Sequence, residues 1–402
     1  MKHPFLTIAI ALLVASTAFC ANPKKDWKTI AQAEELIAQK KYLSAYQLLD
    51  KYDPRNENSE IVLKKEYIVL NYFVSNMMNQ IFALKDIEAD KSIQDYRNNN
   101  GSYSMFFFSI DTILMNLAAK DSSDCRIFKG LGDYYYITYE NYGNNWINGD
   151  DLELLNTALK NYQKAERLGC ADSSMSFKMG MAYILQGDDA NAISYYEKSL
   201  QQGMKNNADL HYNLGYAYMQ TEKNKALEHA EKSFQLYTDS VLKSEAARMT
   251  GYIHIQNNDY AKAILYLKNA DKLNPKDYYT WKLLLQSYIA TKSPETATMT
   301  ENLYMLDPKN YNIYNDLMSI YYTTDETQLP QLLHLFKTQL KQQTSNTVLL
   351  NLNFAIGNAE FHTGDKKNAK TYLLKAKELI AQESDPDEEM SEVLDDLILR
   401  CK

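Results

Sequence analysis

The stretch DYAKAILYLKNADKLNPKDYYTW, residues 259–281, decides the fold class of this chain. Its first part places apolar residues at helical spacing and stops at Pro275, after which the same kind of pattern resumes. Proline cannot continue a helix, because it lacks the backbone N–H and its ring clashes with the preceding turn. The stretch therefore predicts two amphipathic helices joined by a short turn.

One alanine-based pattern recurs along the chain. Alanine is followed by a second residue four positions later and by a third residue three positions further on. These offsets keep all three residues on one helical face, with small side chains where two helices approach closely. The copies are Ala45, Leu49 and Tyr52; Ala158, Tyr162 and Ala165; Ala192, Tyr196 and Ser199; Ala226, Ala230 and Ser233; Ala263, Leu267 and Ala270; Ala369, Leu373 and Ala376.

A glycine stands upstream of most of these patterns. The following alanine is 12 residues beyond Gly180, Gly251 and Gly357 and 11 residues beyond Gly215, and Gly132 precedes a longer insertion. A spacing of 11 or 12 residues is about the length of the end of one helix plus the turn to the next helix. Proline-containing stops, YDPRN (52–56), LNPKD (273–277) and LDPKN (306–310), close several units. Each unit is predicted to be an antiparallel helix pair.

These motifs resemble the tetratricopeptide repeat, whose period of about 34 residues carries an apolar-Gly-x-x-Tyr helix, an Ala-x-x-x-Phe helix and a closing proline. Ala192 and Ala226 are 34 residues apart, and Trp281 stands where the family favours tryptophan. Residues 277–307 lack the alanine pattern, and residues 311–341 are weak in the second helix. The resemblance implies an all-α, right-handed superhelical solenoid of antiparallel helix pairs.

Four regions are predicted. Residues 1–20 are a signal peptide, and residues 21–123 are an N-terminal helical region with one repeat-like unit and a long helix over 59–87. In that region the apolar segment 105–120 is a helix that packs on the long helix, with a binding or membrane-lying element as the alternative. Residues 124–382 are an array of about seven units, and residues 383–402 are a capping helix with acidic residues first and Arg400 near its end.

The N-terminus predicts export. Lys2 and His3 precede an apolar run that is too short for a membrane span. Cys20 is a candidate for lipidation in a bacterial lipoprotein, although Thr17 and Phe19 depart from the usual lipobox, and ordinary cleavage is the alternative. The composition, rich in Asn, Lys and Tyr and poor in Pro, suggests a bacterial envelope protein that faces the periplasm. The net charge of −8 argues against nucleic acid as a partner.

The sequence offers no chemistry-bearing motif. It has no His-Glu-x-x-His, Cys-x-x-Cys, Gly-x-x-x-x-Gly-Lys or Gly-x-Ser-x-Gly pattern. The histidines of the mature chain have no ligand-like spacing and are interpreted as helix-surface or inter-helix residues: His211, His229, His254, His334 and His362. We expect a protein without catalytic activity, cofactor or bound metal.

The cysteines allow one disulfide. In the repeat frame Cys125 begins the first helix of a unit and Cys170 follows its second helix. An antiparallel pair brings these two ends together, and an oxidising compartment permits the bond. Two free, partly buried thiols are the alternative.

The resemblance places the binding surface on the first helices, which line a concave groove for an extended peptide or a partner helix. With glycine as the phase marker, the groove is predicted to be mainly aromatic, with Arg248 and Lys282 as its main charges. Tyrosine suits recognition because it offers a rigid face and a hydroxyl, although packing between repeats is the alternative for each ring. The predicted lining is Phe177, Met181, Tyr212, Tyr216, Met219, Arg248, Tyr252, Ile255, Tyr279, Lys282, Gln286, Asn315 and Tyr322.

Two classes of function follow from this groove. The first is a scaffold or adaptor of the cell envelope that binds other proteins or peptides there without catalysis. The second is a carbohydrate-binding surface lipoprotein whose exposed tyrosines stack on sugar rings. Membrane contact is expected only through an N-terminal lipid anchor.

Overall fold

The computed structural model describes residues 23–77, 80–97, 101–142, 150–382 and 388–401. The predicted signal peptide, with its candidate lipidation site Cys20, lies outside the described residues. The chain divides into two compact units, Met1–Gly187 and Asp188–Lys402. Among the described residues, none of the helices combines the length and the hydropathy that a membrane crossing requires.

The first unit contains helices and three short strands. Its helices are α1 (Pro23–Ala38), α2 (Tyr42–Tyr52), α3 (Ser59–Tyr72), α4 (Ile93–Arg97), α5 (Ile110–Lys120), α6 (Cys125–Tyr142), α7 (Asp151–Arg167) and α8 (Ser173–Leu185). The strands are β1 (Ser75–Met77), β2 (Ile81–Ala83) and β3 (Phe106–Phe107). α1 packs on α2 and α6 packs on α7, as expected for helix pairs.

The single helix predicted for residues 59–87 is wrong. α3 ends at Tyr72, and the chain then forms an antiparallel sheet in the order β1-β2-β3, with Phe82 opposite Phe106. The predicted helix over 105–120 likewise begins only at Ile110. Aromatic residues favour a half-buried pleated surface, and the packing of the Phe106 ring on Tyr46, at a centroid distance of 4.6 Å, outweighs helix propensity here.

The second unit is a succession of helix pairs and a final helix. Its helices are α9 (Asp189–Gln201), α10 (Ala208–Tyr218), α11 (Lys223–Leu236), α12 (Ser240–Gln256), α13 (Tyr260–Leu273), α14 (Tyr278–Ala290), α15 (Thr296–Leu306), α16 (Tyr311–Thr324), α17 (Leu329–Leu340), α18 (Asn346–His362), α19 (Lys366–Ile380) and α20 (Glu388–Arg400). The pairs α10–α11, α12–α13 and α18–α19 pack most extensively. The predicted all-α class built from helix pairs is confirmed.

Side-chain caps fix where most of these helices begin. An Asp or Asn side chain accepts a backbone N–H of the first turn and so satisfies a donor that has no partner within the helix. Because such caps follow most of the turns, the chain restarts these helices at defined residues. In the second unit the capping residues are Asp188, Asn207, Asp239, Asp259, Asp277, Asn310 and Asp365.

The alanine pattern is the contact face within each pair. Ala263, Leu267 and Ala270 are fully buried, as are Ala369, Leu373 and Ala376. On the opposing helix a Cβ added to Gly251 would stand 2.6 Å from Leu267 Cγ. Glycine is therefore required on the first helix because the leucine of the second helix fills the space of a side chain.

The C-terminal helix covers the last pair. Leu394 and Leu397 of α20 are buried against Leu373 and Ile380 of α19. Acidic residues occupy its first turn and Arg400 its last turn, so the charges at both ends interact favourably with the helix dipole. α20 thus acts as the capping helix that the sequence predicts.

A disulfide joins Cys125 to Cys170, with the two Cα atoms 5.5 Å apart. Cys125 is the first residue of α6, and Cys170 follows α7. The bond therefore connects the two ends that the antiparallel pair brings together. Cys401 is a buried free thiol.

We expect Gly251→Ala to lower the free energy of unfolding by about 1–3 kcal/mol, because the new methyl group overlaps Leu267. Gly215→Ala is the matched control, since its added Cβ would be less crowded, 3.0 Å from the flexible end of the Met249 side chain and 3.2 Å from the backbone nitrogen of Ala230. There the gain of about 1 kcal/mol in helix propensity offsets the crowding. Urea unfolding of both variants measures the difference, and equal costs would refute the close-packing argument.

We also expect Cys125→Ala with Cys170→Ala to lower the free energy of unfolding by about 2–4 kcal/mol, since the bond closes a loop between residues 45 apart. Urea unfolding with and without dithiothreitol tests this. The reductant should destabilise the wild type and leave the double variant unchanged. Equal sensitivity of the two proteins would show that the bond does not stabilise the unit.

Candidate functional site

Most of the predicted groove residues lie on the first helices of the second unit, α10, α12, α14 and α16. α12 packs on α14, α14 on α16, and α16 on α18, so these helices form neighbouring rungs. Phe177 and Met181 lie on α8 of the first unit, where both are half-buried. We call the second-unit surface the first-helix face and define it by Tyr212, Tyr216, Met219, Arg248, Tyr252, Tyr279, Lys282, Gln286 and Asn315.

The first-helix face differs in exposure from residue to residue. Tyr216 and Tyr279 are 56% and 63% exposed. Asn315 is also exposed, and the other members of the face are half-buried. Two large aromatic side chains therefore stand free for contact, whereas the residues around them are partly covered by their neighbours.

Arg248 connects α12 to α14. Its Nη1 lies 2.9 Å from Asp277 Oδ1, and its guanidinium carbon lies 5.7 Å from the ring centre of Tyr279. Asp277 also caps α14 by accepting the backbone N–H of Thr280. Burial opposes ionisation of Asp277, but the bonds from Thr280 and Arg248 prevail and lower its pKa. Arg248 is therefore committed to an internal partner.

Lys282 makes the equivalent connection from α14 to α16. Its Nζ lies 2.9 Å from Asp316 Oδ1 and 5.4 Å from the ring centre of Tyr278. The Tyr278 hydroxyl donates to the other oxygen of Asp316. Burial and this bond raise the pKa of Tyr278. Both predicted charges of the groove are thus neutralised by aspartates that the sequence analysis did not select.

Tyr212 occupies the corresponding place on α10. Its ring meets the Tyr237 ring edge-on at 6.3 Å, and the Tyr237 hydroxyl donates to Asp209 Oδ1 at 2.7 Å. Burial raises the pKa of Tyr212, and the nearby Glu245 of α12 raises it further. The ring is therefore a packed element of this rung, with one part of its surface exposed.

Two predicted lining residues differ from the first-helix face, because Ile255 is buried and Tyr322 is half-buried with a buried hydroxyl group. Ile255 is 5% exposed and belongs to the core with Leu267 and Trp281. The Tyr322 ring meets His362 edge-on at 5.8 Å, and its buried hydroxyl oxygen has no hydrogen-bond partner within the described ranges. The prediction that Ile255 lines the groove, made from its spacing to Gly251, is therefore wrong. Neighbouring helix pairs bury more than one face of α12.

Burial accounts for many of the 32 tyrosines. The largest fully buried side chains include Tyr134, Tyr162, Tyr196, Tyr304, Tyr314 and Tyr321. The hydroxyls of Tyr162, Tyr314 and Tyr321 reach polar partners, as when Tyr314 Oη donates to Pro308 O at 2.7 Å, whereas Tyr304 Oη has no hydrogen-bond partner among the described residues. The sequence alone does not separate these packing rings from the exposed rings of Tyr216 and Tyr279 on the first-helix face.

Three of the histidines are buried between helices. His211 Nδ1 and His229 Nδ1 are 2.9 Å apart, and His211 Nε2 is 3.0 Å from Lys205 O. Because the carbonyl needs a donor, His211 carries its proton on Nε2 and accepts from His229. His254 stacks on Tyr266 at 5.5 Å. The described part of the chain contains no group of three or more His, Cys, Asp or Glu suited to a metal ion.

A family model for the tetratricopeptide repeat matches residues 173–202, 249–277 and 350–383. Three segments of this chain are thus similar to the tetratricopeptide repeat. The matched segments take in α8 and α9, the end of α12 with α13, and most of α18 with α19. None of the curated proteins matches this chain.

Several solved structures are similar to this chain at low identity. A tetratricopeptide repeat protein from Parabacteroides merdae is 16% identical, with a TM-score of 0.41, over 68% of this chain and 98% of that one. The C-terminal part of a repeat-containing protein from Cytophaga hutchinsonii is 16% identical, with a TM-score of 0.38, over 70% and 92%. YrrB, described as having an unusual peptide-binding site, is 15% identical, with a TM-score of 0.36, over 42% and 79%.

We expect the buried histidines to make these repeats sensitive to mild acid. Burial lowers the pKa of His254 and, together with His211, that of His229. The unfolded chain therefore binds more protons than the folded chain below the ordinary pKa of 6.5, and the free energy of unfolding falls as the pH drops through that value. The advantage of wild type over His254→Gln should shrink between about pH 7.5 and pH 5.5.

Urea unfolding at several pH values measures this change. His334→Gln is the control, because His334 is exposed on α17. A constant difference between wild type and His254→Gln across this pH range would contradict the prediction.

Proposed function

We propose that the second unit is a non-catalytic scaffold that binds a peptide or a partner helix on its first-helix face. The observation that carries the proposal is the exposure of Tyr216 and Tyr279, at 56% and 63%, on helices whose other large side chains are covered. Exposed tyrosines on a rigid support are efficient anchors, because little side-chain entropy is lost when they bind. Tetratricopeptide repeats serve as protein-interaction modules, which agrees with this use.

The internal ion pairs favour an uncharged ligand surface. Arg248 and Lys282 are already paired with Asp277 and Asp316, so an acidic ligand would have to displace a partly buried carboxylate. Breaking such a pair leaves one charge without a partner, which is costly. The face therefore suits a segment that presents apolar and aromatic side chains and hydrogen-bonding groups.

We further propose that this scaffold works in a bacterial cell envelope, after export. The N-terminal leader predicted from the sequence supports this location, and so does the bond between Cys125 and Cys170, since disulfides persist in oxidising compartments. The other proteins or peptides of the envelope are then its partners. Recovery of the chain in the cytoplasmic fraction after osmotic shock would count against this part of the proposal.

Replacing Tyr216 and Tyr279 by alanine should abolish most ligand binding. A random peptide display library is selected on the purified wild type, and the affinity of the enriched peptides is measured by calorimetry. Loss of two anchor rings should weaken binding at least about 30-fold, or roughly 2 kcal/mol.

Leu265→Ala is the matched control. Leu265 is 63% exposed but lies on α13, the second helix of its pair. Its variant should bind like the wild type, and circular dichroism should show all three proteins equally folded. Unchanged peptide affinity in the tyrosine variant would refute the proposal, and tyrosine-dependent binding on a glycan array, without peptide binding, would favour carbohydrate recognition instead.

A further inference from the structure

A cavity of about 760 Å³ opens in the first unit beside α3 and α6 and the beginning of α8. Its lining includes Glu66, Tyr67, Lys129, Asp133 and Lys178. This volume is within the range of sites that enclose small ligands or large side chains, about 300–1,000 Å³. All of its residues belong to the first unit, so it stands apart from the first-helix face.

Glu66 is the unusual group in this cavity. It is 3% exposed, and its Oε1 has no hydrogen-bond partner among the residues that the structure describes. A Cβ added to Gly130 would stand 2.8 Å from Glu66 Oε2, so glycine leaves room for the carboxyl group. A buried polar atom without a partner is costly, and a ligand group that bonds to it would remove this cost.

The protonation of Glu66 follows from its surroundings. Burial raises its pKa to about 8, the carboxylate of Asp133 adds to this effect, and Lys129 and Lys178 oppose it. Tyr162, from α7, donates to Asp133 Oδ1 at 2.8 Å and also interacts electrostatically with Glu66. The carboxyl group therefore carries a proton at neutral pH.

Every cation in the lining already has a carboxylate partner. Lys178 Nζ is 2.5 Å from Asp133 Oδ1, and Lys129 Nζ is 3.1 Å from Asp133 Oδ2 and 3.5 Å from Asp172. Arg126 pairs with Glu60 at 2.6 Å and with Asp124 at 2.9 Å. An anion would have to break one of these pairs.

The charge balance therefore favours a cation. The three basic groups of the lining pair with four carboxylates, of which Asp133 and Asp172 themselves line the cavity, and Glu66 is a fifth acidic group without an ion-pair partner among the described residues. On the same wall, Tyr67 is 46% exposed and already holds the Lys64 ammonium 5.5 Å from its ring centre. An aromatic face beside a carboxylate is a favourable environment for an organic cation.

We propose that this cavity binds an organic cation, an ammonium or guanidinium group, through a salt bridge to Glu66. On binding, the Glu66 carboxyl group gives its proton to the solvent and the resulting carboxylate pairs with the ligand. The cation comes either from a lysine or arginine of a peptide or from a free polyamine. The proposal does not depend on the protein-binding function of the second unit.

Calorimetry with spermidine and with a terminally blocked Ala-Phe-Lys-Phe-Ala peptide tests the site. Repeating each titration in phosphate and in Tris gives the number of protons released. With a pKa of about 8, close to one proton should be released per bound cation at pH 7, and affinity should rise about tenfold from pH 6 to pH 7. A peptide with norleucine in place of lysine should not bind.

Glu66→Gln keeps the shape of the side chain and removes the ionisable group, so binding should fall at least tenfold with no proton release. Glu60→Gln is the matched control, because it removes a paired carboxylate from the same helix and should leave the proton release in place. Selective binding of either probe identifies the source of the cation. Absence of binding by both, binding without proton release, or equal affinity for the Glu66→Gln variant would overturn the proposal.

Discussion

The close approach of two helices at a glycine is the constraint on which the repeats depend. At Gly251 the side chain of Leu267 occupies the space of a Cβ, and Gly357 meets Leu373 in the same way. Small alanines on either side of each leucine allow the second helix to come this near. Once the two helices of a pair are fixed in this manner, the other faces of the first helix either pack on neighbouring pairs or stay exposed.

The open face of the second unit is built from interactions between neighbouring pairs. Asp277 both starts α14 and holds Arg248 of α12, so one carboxylate sets a helix boundary and a contact between pairs. Asp316 repeats this second role for Lys282. Because these charges are used internally, the face has two exposed tyrosine rings as its main contact groups and little free charge, which is the reason for proposing an uncharged segment as its ligand.

The cavity of the first unit has a different character. Its basic groups are paired, its glycine makes room for a buried carboxyl group, and that carboxyl group has no ion-pair partner within the part of the chain that the structure describes. The first unit also carries the disulfide and the small sheet that the helix-pair pattern does not explain. Two recognition chemistries are therefore proposed for one chain, an aromatic one in the second unit and a cation-binding one in the first.

The sequence by itself determined the helix pairs, because alanine and glycine at fixed offsets place small residues on one helical face, where two helices can pack closely. It also predicted the bond between Cys125 and Cys170 as one of two alternatives. It did not determine the strands β1, β2 and β3, where the packing of Phe82 and Phe106 favours a sheet over a helix. Nor did it separate exposed Tyr216 from buried Tyr314, or pair Arg248 with Asp277. Burial and ion pairing depend on residues about 30 or more positions apart in sequence that only the tertiary structure brings together, so periodicity cannot reveal them.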